Sequence, residues 1–579
     1  MNGSRFSPLR WLTILGMVGI VATESDAQWS TDPASNLAIA DRVSEQVLPK
    51  VAATADGGCY VGWFDLAAGS YDVYLQRLDP QGGELWPHNG VLISDHPQNS
   101  FLVDWDLIVD SQDHCVLVFG DNRNGGGDFD IYAYRVAPDG SMVWGPDGVT
   151  LSDDNGFEAA PRVAELSTGD FAFCWSRDTN GRIMAQVLDP LGVPYYPANG
   201  TPIGGQGPER AGFCEIAASD NGTFIVTWVR DTTNFASPRH VHAQKFDLGG
   251  APQWGAGPVV VYDAASVPIA HAPRLRSDAA GGAVIVWHAA LTTLFNCYVQ
   301  RLDAGGVELF PHNGVGVSTD LTRNHLDPTF VYQSSTQETL VFFNERNSAQ
   351  SQWGIYGQKL DASGARQWTN TGRELIPVNS MWKGPPRAVP SGAGAMVFVL
   401  YEPTSTPGQE RVLGMRVDAD GLPNWPGQPL LVSSLLSGKS RLPVAVTPQG
   451  AALVVWEDER VDAADIYGQR VGDDGTLGGG PPAGPPFVRG YCNPDSSFNI
   501  ADAIALLAFL FPGVVPATLG CPDACDCNDD GSLNIADAVC LLGALFGQPA
   551  MLPGAPHPNC GPDPTEPDAL DCAAFTQCP

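Results

Sequence analysis

The chain has 579 residues, too many for one ordinary domain unless it is a repeat array or a large closed β structure. Apolar residues at 44%, charged residues at 16%, Gly 65 and Pro 48 argue against disorder and a mainly helical fold, and for many short strands joined by turns. The net charge of -33 argues against nucleic acid and anionic lipid surfaces as partners. It suits either cation binding or simple solubility.

Residues 1–27 read as a signal peptide. Arg5 and Arg10 supply the positive start, residues 11–22 a short apolar run, and Ser25-Asp26-Ala27 a cleavage site before Gln28. No later segment is long and apolar enough for a membrane helix. The expected location is secreted, extracellular or cell-surface, where disulfides are permitted.

A repeat fills residues 28–477. Its first anchor is an aromatic ending an apolar strand: Trp63, Phe119, Trp175, Trp228, Trp287, Phe343, Tyr401 and Trp456, spaced 56, 56, 53, 59, 56, 58 and 55 residues apart. The second anchor alternates apolar and polar residues, as in Tyr74-Leu75-Gln76-Arg77-Leu78-Asp79, and runs into an Asp/Gly turn such as Asp418-Ala419-Asp420-Gly421. The third is another aromatic: Trp86, Trp144, Tyr196, Trp254, Phe310, Trp368 and Trp425. Its eighth copy is absent after Gln469-Arg470, but Gln28-Trp29 at the other end matches Gln367-Trp368. An N-terminal strand that completes the last repeat closes a ring and removes exposed edges. The expected fold is therefore all-β, an eight-bladed β-propeller. A seven-bladed ring is the alternative, because the repeat around Tyr401 is the weakest. The repeats resemble secreted bacterial β-propeller proteins with segments like Asp465-Ile466-Tyr467-Gly468-Gln469-Arg470, a resemblance of architecture that implies no activity.

Charged residues follow most first anchors: Asp65, Asp121 with Arg123, Arg177 with Asp178, Arg230 with Asp231, Glu345 with Arg346, and residues 457–460. They could ring a channel mouth and meet a sugar or ion. Inter-blade salt bridges and turn hydrogen bonds are the favoured reading, because a recurrent position usually serves the repeat. His88 and His312 sit in repeated Pro-His-Asn-Gly turns and read as turn chemistry. No nucleophile elbow, zinc-protease helix or phosphate loop occurs, and no pair of carboxylates stands out for glycoside hydrolysis. Cys59, Cys115, Cys174, Cys214 and Cys297 are expected to be buried and unpaired.

Residues 478–486 form a Gly/Pro-rich linker, and 487–579 a cysteine-rich module. Its eight cysteines allow ~105 pairings. A zinc site at Cys521, Cys525 and Cys527 competes, but the spacing is poor and no His is near. Residues 526–537 form an EF-hand-type calcium loop. Asp526, Asn528, Asp530 and Asp537 occupy oxygen-ligand positions, Ser532 offers its carbonyl, Gly531 permits the turn and Asn534 could act through water. A helix over 536–546 follows. The first copy, residues 491–502 with a helix over 503–511, keeps Asn493, Asp495, Asn499 and Asp502 but has Tyr491 at the first ligand position, so it is a weaker site. The two loop–helix units, each with Asn-Ile-Ala-Asp, resemble a type I dockerin. That resemblance implies calcium as cofactor and a cohesin-like or cell-surface protein as partner, and dockerins commonly sit on polysaccharide-degrading enzymes or their accessory proteins. Two functions follow as expectations: a non-enzymatic propeller binding a glycan or protein, or an extracellular polysaccharide-degrading glycoside hydrolase with its site in the propeller mouth.

Overall fold

The structure is a computed structural model. It describes residues 28–478 except 99–103, 126–127, 178–180, 206, 232–236, 269–270 and 291–292, and 487–578 except 494, 496, 512–518, 530, 548–552, 555, 559, 562–569, 571, 573–574 and 576–577. The expected signal peptide, Asp530 and the linker beyond Gly478 lie outside the described residues.

Alternating apolar strands and Asp/Gly turns build eight antiparallel sheets, the blades of a propeller. Blade one runs Gln46–Ala53, Cys59–Asp65, Tyr71–Leu78 and Val91–Gln98, each strand paired with the next. Blades two to seven repeat this order. Blade eight takes its second and third strands from Ala452–Asp458 and Asp465–Val471, and its fourth from the N-terminal strand Leu37–Ala40. Leu37 pairs with Gly468 and Ala40 with Ile466, so the ring closes as the sequence predicts.

The third-anchor aromatics explain how one blade holds the next. Trp368 lies against Gly421 in the following blade's turn, where a Cβ would come within 2.7 Å of the indole. Its Nε1 donates to the Ala419 carbonyl at 3.0 Å. Asp418 fixes that turn by accepting from the backbone of Asp420 and Leu422, both at 2.9 Å. Gly421 is thus required twice, for its φ of 74° and for its missing side chain. Trp29 does the same on Gly82 of blade one, and its backbone N–H donates to Gln81 at 2.9 Å.

A buried glutamine ties the second anchor to the third. The Gln358 carbonyl oxygen accepts from the N–H of Lys359 and Trp368, at 3.0 and 3.2 Å. Gln186, Gln244 and Gln300 do likewise. Blade seven has Met415 at that position, opposite Val397, and Gln428 replaces the lost amide by accepting from Arg416 and Trp425 at 3.1 and 3.2 Å.

One anchor needs correcting. Ala395 pairs with Val417 as Cys59 pairs with Leu78, which puts Val399, not Tyr401, at the position of Trp63. Tyr401 lies two residues on, opposite Arg411, with Lys383 over its ring at 5.5 Å. The repeat reads as weak because its buried anchor is aliphatic.

In the C-terminal region, Ile500–Leu510 (α1) and Ile535–Leu545 (α2) share a small core with Cys492, Cys525, Cys527 and Cys540. Both helices begin earlier than the apolar runs suggest. Asn499 and Asn534 are N-caps, and Asp502 and Asp537 complete capping boxes. Asn-Ile-Ala-Asp is therefore a helix-start signal as well as a loop end. Disulfides join Cys492–Cys525, Cys521–Cys572, Cys527–Cys540 and Cys560–Cys578, which uses the sulfurs of the alternative zinc site. This pairing indicates an oxidising environment. The five propeller cysteines are buried and free. No described helix is long and apolar enough to cross a membrane.

Candidate functional site

The innermost strands line the channel, and several are deformed at the same place. The pairing register slips by one residue between Val47 and Lys50, Ala159 and Arg162, Gly212 and Glu215, and Leu326 and Thr329. Within these bulges Leu48, Ala160, Phe213 and Asp327 adopt φ values of 54°, 50°, 58° and 55°. Each costs on the order of 1–3 kcal/mol for a non-glycine residue, and bulges of this kind re-aim side chains next to functional sites. Ala160, Phe213 and Asp327 all face one cavity of about 680 Å³ at the channel mouth, well within the range of ligand sites.

One wall of the cavity is apolar. Phe129 and Phe157 meet edge to face at 5.6 Å, and Phe213 and Trp287 continue the surface. The polar floor is a chain of ion pairs crossing consecutive blades. Asp104 meets Lys50 at 2.9 Å and Arg162 at 2.7 Å, and Glu215 meets Arg162 and Arg274, each at 3.4 Å. Burial opposes ionisation of Asp104, but Lys50 and Arg162 outweigh it and hold the carboxyl well below the usual range.

His271, His288 and Asp327 gather at the rim with their ligand-type atoms within 4.8 Å. The Asp327 N–H donates to His288 Nδ1 at 3.1 Å, and Arg346 holds Asp327 Oδ2 at 2.8 Å. Burial, then His271 and Arg346, push His288 down to about 3, so it is neutral near pH 7. With Nδ1 accepting, the ring proton sits on Nε2. His288 Nδ1 and Asp327 Oδ2 are thus already engaged within the rim. A second cluster joins Asp128, Asp130 and Glu158. Glu158 is fully buried, 3.4 Å from Arg177, and is pushed up to about 9 by burial first and Asp154 second.

The charged residues after the first anchors pair among themselves or with neighbouring turns. Asp121 meets Arg123 at 2.6 Å, Arg177 meets Asp154 at 2.6 Å, Glu345 meets Arg323 at 3.1 Å, and Asp458 meets Arg460 at 2.6 Å. Asp178 lies outside the described residues. His88 bridges Glu84 and Asp41, and His312 bridges Glu308 and Asp263. These positions hold blades and turns together. The channel residues themselves carried no motif. Their only sequence signal is the recurring Pro-Lys/Arg of the first strands, in Pro49-Lys50, Pro161-Arg162, Pro273-Arg274 and Pro386-Arg387.

The expected calcium loop brings Asp526 and Asp537 together, both fully buried. Asp537 is pushed up to about 6, first by burial and then by the Asp526 carboxyl, against a hydrogen bond from the Asn534 backbone. The Asp526 Oδ2 accepts from Gly531 at 2.7 Å, which closes the turn. Two buried carboxyls facing one another suit a hard divalent cation. Asn534 is occupied as a cap: its amide donates to the Ser532 carbonyl at 3.0 Å, and its oxygen accepts from Ala536 at 2.8 Å. In the first loop Asp502 is buried, but Tyr491 replaces the second buried carboxyl and stacks on Phe498 at 6.2 Å. Asn493 donates its backbone N–H to Asp502, and Asp495 accepts from Ser497. That loop is closed by ring stacking and its own hydrogen bonds, with one buried carboxyl where the second loop has two.

No protein-family profile and no curated relative matches the chain. Several solved structures are similar at low identity. An ulvan lyase of a new polysaccharide lyase family is 9% identical with a TM-score of 0.41, over 78% of this chain and 95% of that one. The Dos1 propeller is 13% identical with a TM-score of 0.41, over 76% and 95%. An α-L-arabinanase of Penicillium chrysogenum, complexed with arabinobiose, is 11% identical with a TM-score of 0.31, over 57% and 98%.

Proposed function

We propose that the chain is an exported, non-enzymatic β-propeller that holds a glycan at its channel mouth and is attached to a surface or protein partner through a calcium-stabilised C-terminal module. The observation that carries the reading is the mouth cavity, with an aromatic wall of Phe129, Phe157, Phe213 and Trp287 above a polar floor. Sugar rings present apolar faces to aromatic side chains and hydroxyls to charged ones, so such a wall and floor match both sides of a saccharide. The non-enzymatic part rests on the lining carboxyls. Asp104 and Glu215 share Arg162, and Asp327 is held by Arg346, so each of these carboxyls is engaged by a cation.

For the module, the buried Asp526–Asp537 pair supports calcium. The exposed apolar residues Ile500, Ile504, Ile535 and Val539 support a protein-facing surface on both helices. A glycan array and a hydrolysis screen on the full chain test the reading. Binding without turnover is expected. Turnover that disappears in Glu215→Gln would overturn the non-enzymatic assignment in favour of a hydrolase.

A further inference from the structure

The chain carries a net charge of -33, yet the depth of its channel is cationic. Below the mouth a second cavity of about 300 Å³ shares Glu215, Arg274, Pro328 and Arg387 with the first and adds Arg276 and Phe330. Equivalent register positions on the first strands set the charge around the ring. Lys50 pairs with Gly62, Asp106 with Val118, Arg162 with Cys174, Glu215 with Thr227, Arg274 with Val286, Thr329 with Phe342 and Arg387 with Phe398. From blade one to blade five the sign alternates, and the ion pairs through Asp104 and Glu215 neutralise it.

Past blade five the alternation stops. Blade six offers Thr329 at the ring position, and its Asp327 is already held by Arg346. Arg276, Arg387 and Arg441 make no salt bridge among the described residues. Arg276 rests over the Phe330 ring at 5.5 Å, and Arg387 donates to the Pro386 carbonyl at 3.2 Å. Burial first, and then Arg274, push Arg387 down to about 10, with Arg441 adding to the effect against Asp327 and Asp104. Arg274, Arg276 and Arg387 outnumber the one carboxylate, Glu215, that lines this cavity with them, and guanidiniums in such excess are costly until an anion joins them. Their planar forks match a carboxylate or a sulfate ester.

We infer that the ligand of the propeller mouth is an anionic glycan, whose acid group is received by Arg276 and Arg387 below the aromatic wall. The inference rests on the glycan-binding reading above and names the class of glycan. The acidic exterior repels polyanions in general, so only a chain end or branch that enters the mouth reaches the cationic floor. The Debye length near 0.15 M salt is about 8 Å, shorter than the reach of the outer surface, and the local channel charge then decides the sign of binding.

The test measures binding of the full chain to polygalacturonate, to dextran sulfate and to neutral galactan by affinity electrophoresis and calorimetry. At least one acidic polymer should bind and galactan should not, with affinity falling about tenfold or more between 50 and 300 mM salt. Polygalacturonate alone would identify a carboxylate ligand, and dextran sulfate alone a sulfate ester. The double variant Arg276→Gln with Arg387→Gln should lose at least about tenfold in affinity, at two cations removed. Arg441→Gln, at a residue that lines neither cavity, should lose less and guards against misfolding of the double variant. Galactan bound as tightly as the acidic polymers, or unchanged affinity in all the arginine variants, would overturn the anionic assignment and leave glycan binding standing. Failure of every polymer to bind would overturn both.

Discussion

The propeller and the C-terminal module are both built by duplication, but different forces hold them. Each blade repeats one contact, an aromatic on the next blade's turn glycine, and most add a buried glutamine under the third anchor. Summed around a closed ring this is enough, and five cysteines stay buried as thiols. The module repeats a loop and a helix only twice. Its small core is supplemented by four disulfides closing spans of 33, 51, 13 and 18 residues, each worth about 2–4 kcal/mol. A closed repeat array spreads its stability over many equal interfaces. A short module needs covalent and ionic staples.

The sharpest test of this contrast is reduction. Dithiothreitol with a calcium chelator should unfold the module and leave the propeller intact, so that limited proteolysis removes residues after 487 and spares residues 28–478. Loss of both parts together would show that the two are not held independently. The next largest effect is on ring closure. Trp29→Ala should cost about 3–5 kcal/mol, as much as the equivalent Trp425→Ala inside the ring, read as a drop in denaturation midpoint. A near-neutral Trp29→Ala would mean that the N-terminal segment does not close the ring.

Calcium should stabilise only the module. At a hundred times Kd the gain is about 2.7 kcal/mol, and Asp526→Asn should abolish it in calorimetry. Asp495→Asn in the first loop should change it little. The smallest effect concerns Glu158. Its folded-state value of about 9 lies above the ordinary glutamate value of about 4.5, so the folded state holds the extra proton. Stability from this group is present at acid pH and falls as pH rises from about 4.5 towards 9. Glu158→Gln should therefore raise the propeller's Tm at pH 8 and leave it unchanged at pH 4. A gain of the same size at both pH values would remove titration as the cause.

Blade number, ring closure and the location of the disulfides were legible because each leaves a periodic residue: an aromatic near every 56th position, a displaced Gln-Trp, a cluster of cysteines. Tyr401 misled because an aromatic stood two residues from an aliphatic anchor, and only the pairing of Ala395 with Val417 reveals the offset. The helix starts are present in the sequence as Asn-Ile-Ala-Asp, but a capping box and the end of an EF-hand-type loop call for the same residue types. The mouth was hidden for another reason. Its Phe129, Glu215, His288 and Arg387 come from different blades and share no local pattern.

By itself the sequence determined the repeat, its count and the strand that joins both ends, because periodicity and turn chemistry are local and recur. It also holds Asp526 and Asp537 eleven residues apart, and the fold brings their carboxyls together through one turn. The tertiary structure alone decided which carboxylates are neutralised and which arginines are left over. Lys50, Arg162, Glu215, Arg274 and Arg387 come from five different blades, and only ring closure sets them around one channel, where the arginines outnumber the carboxylates that can pair with them.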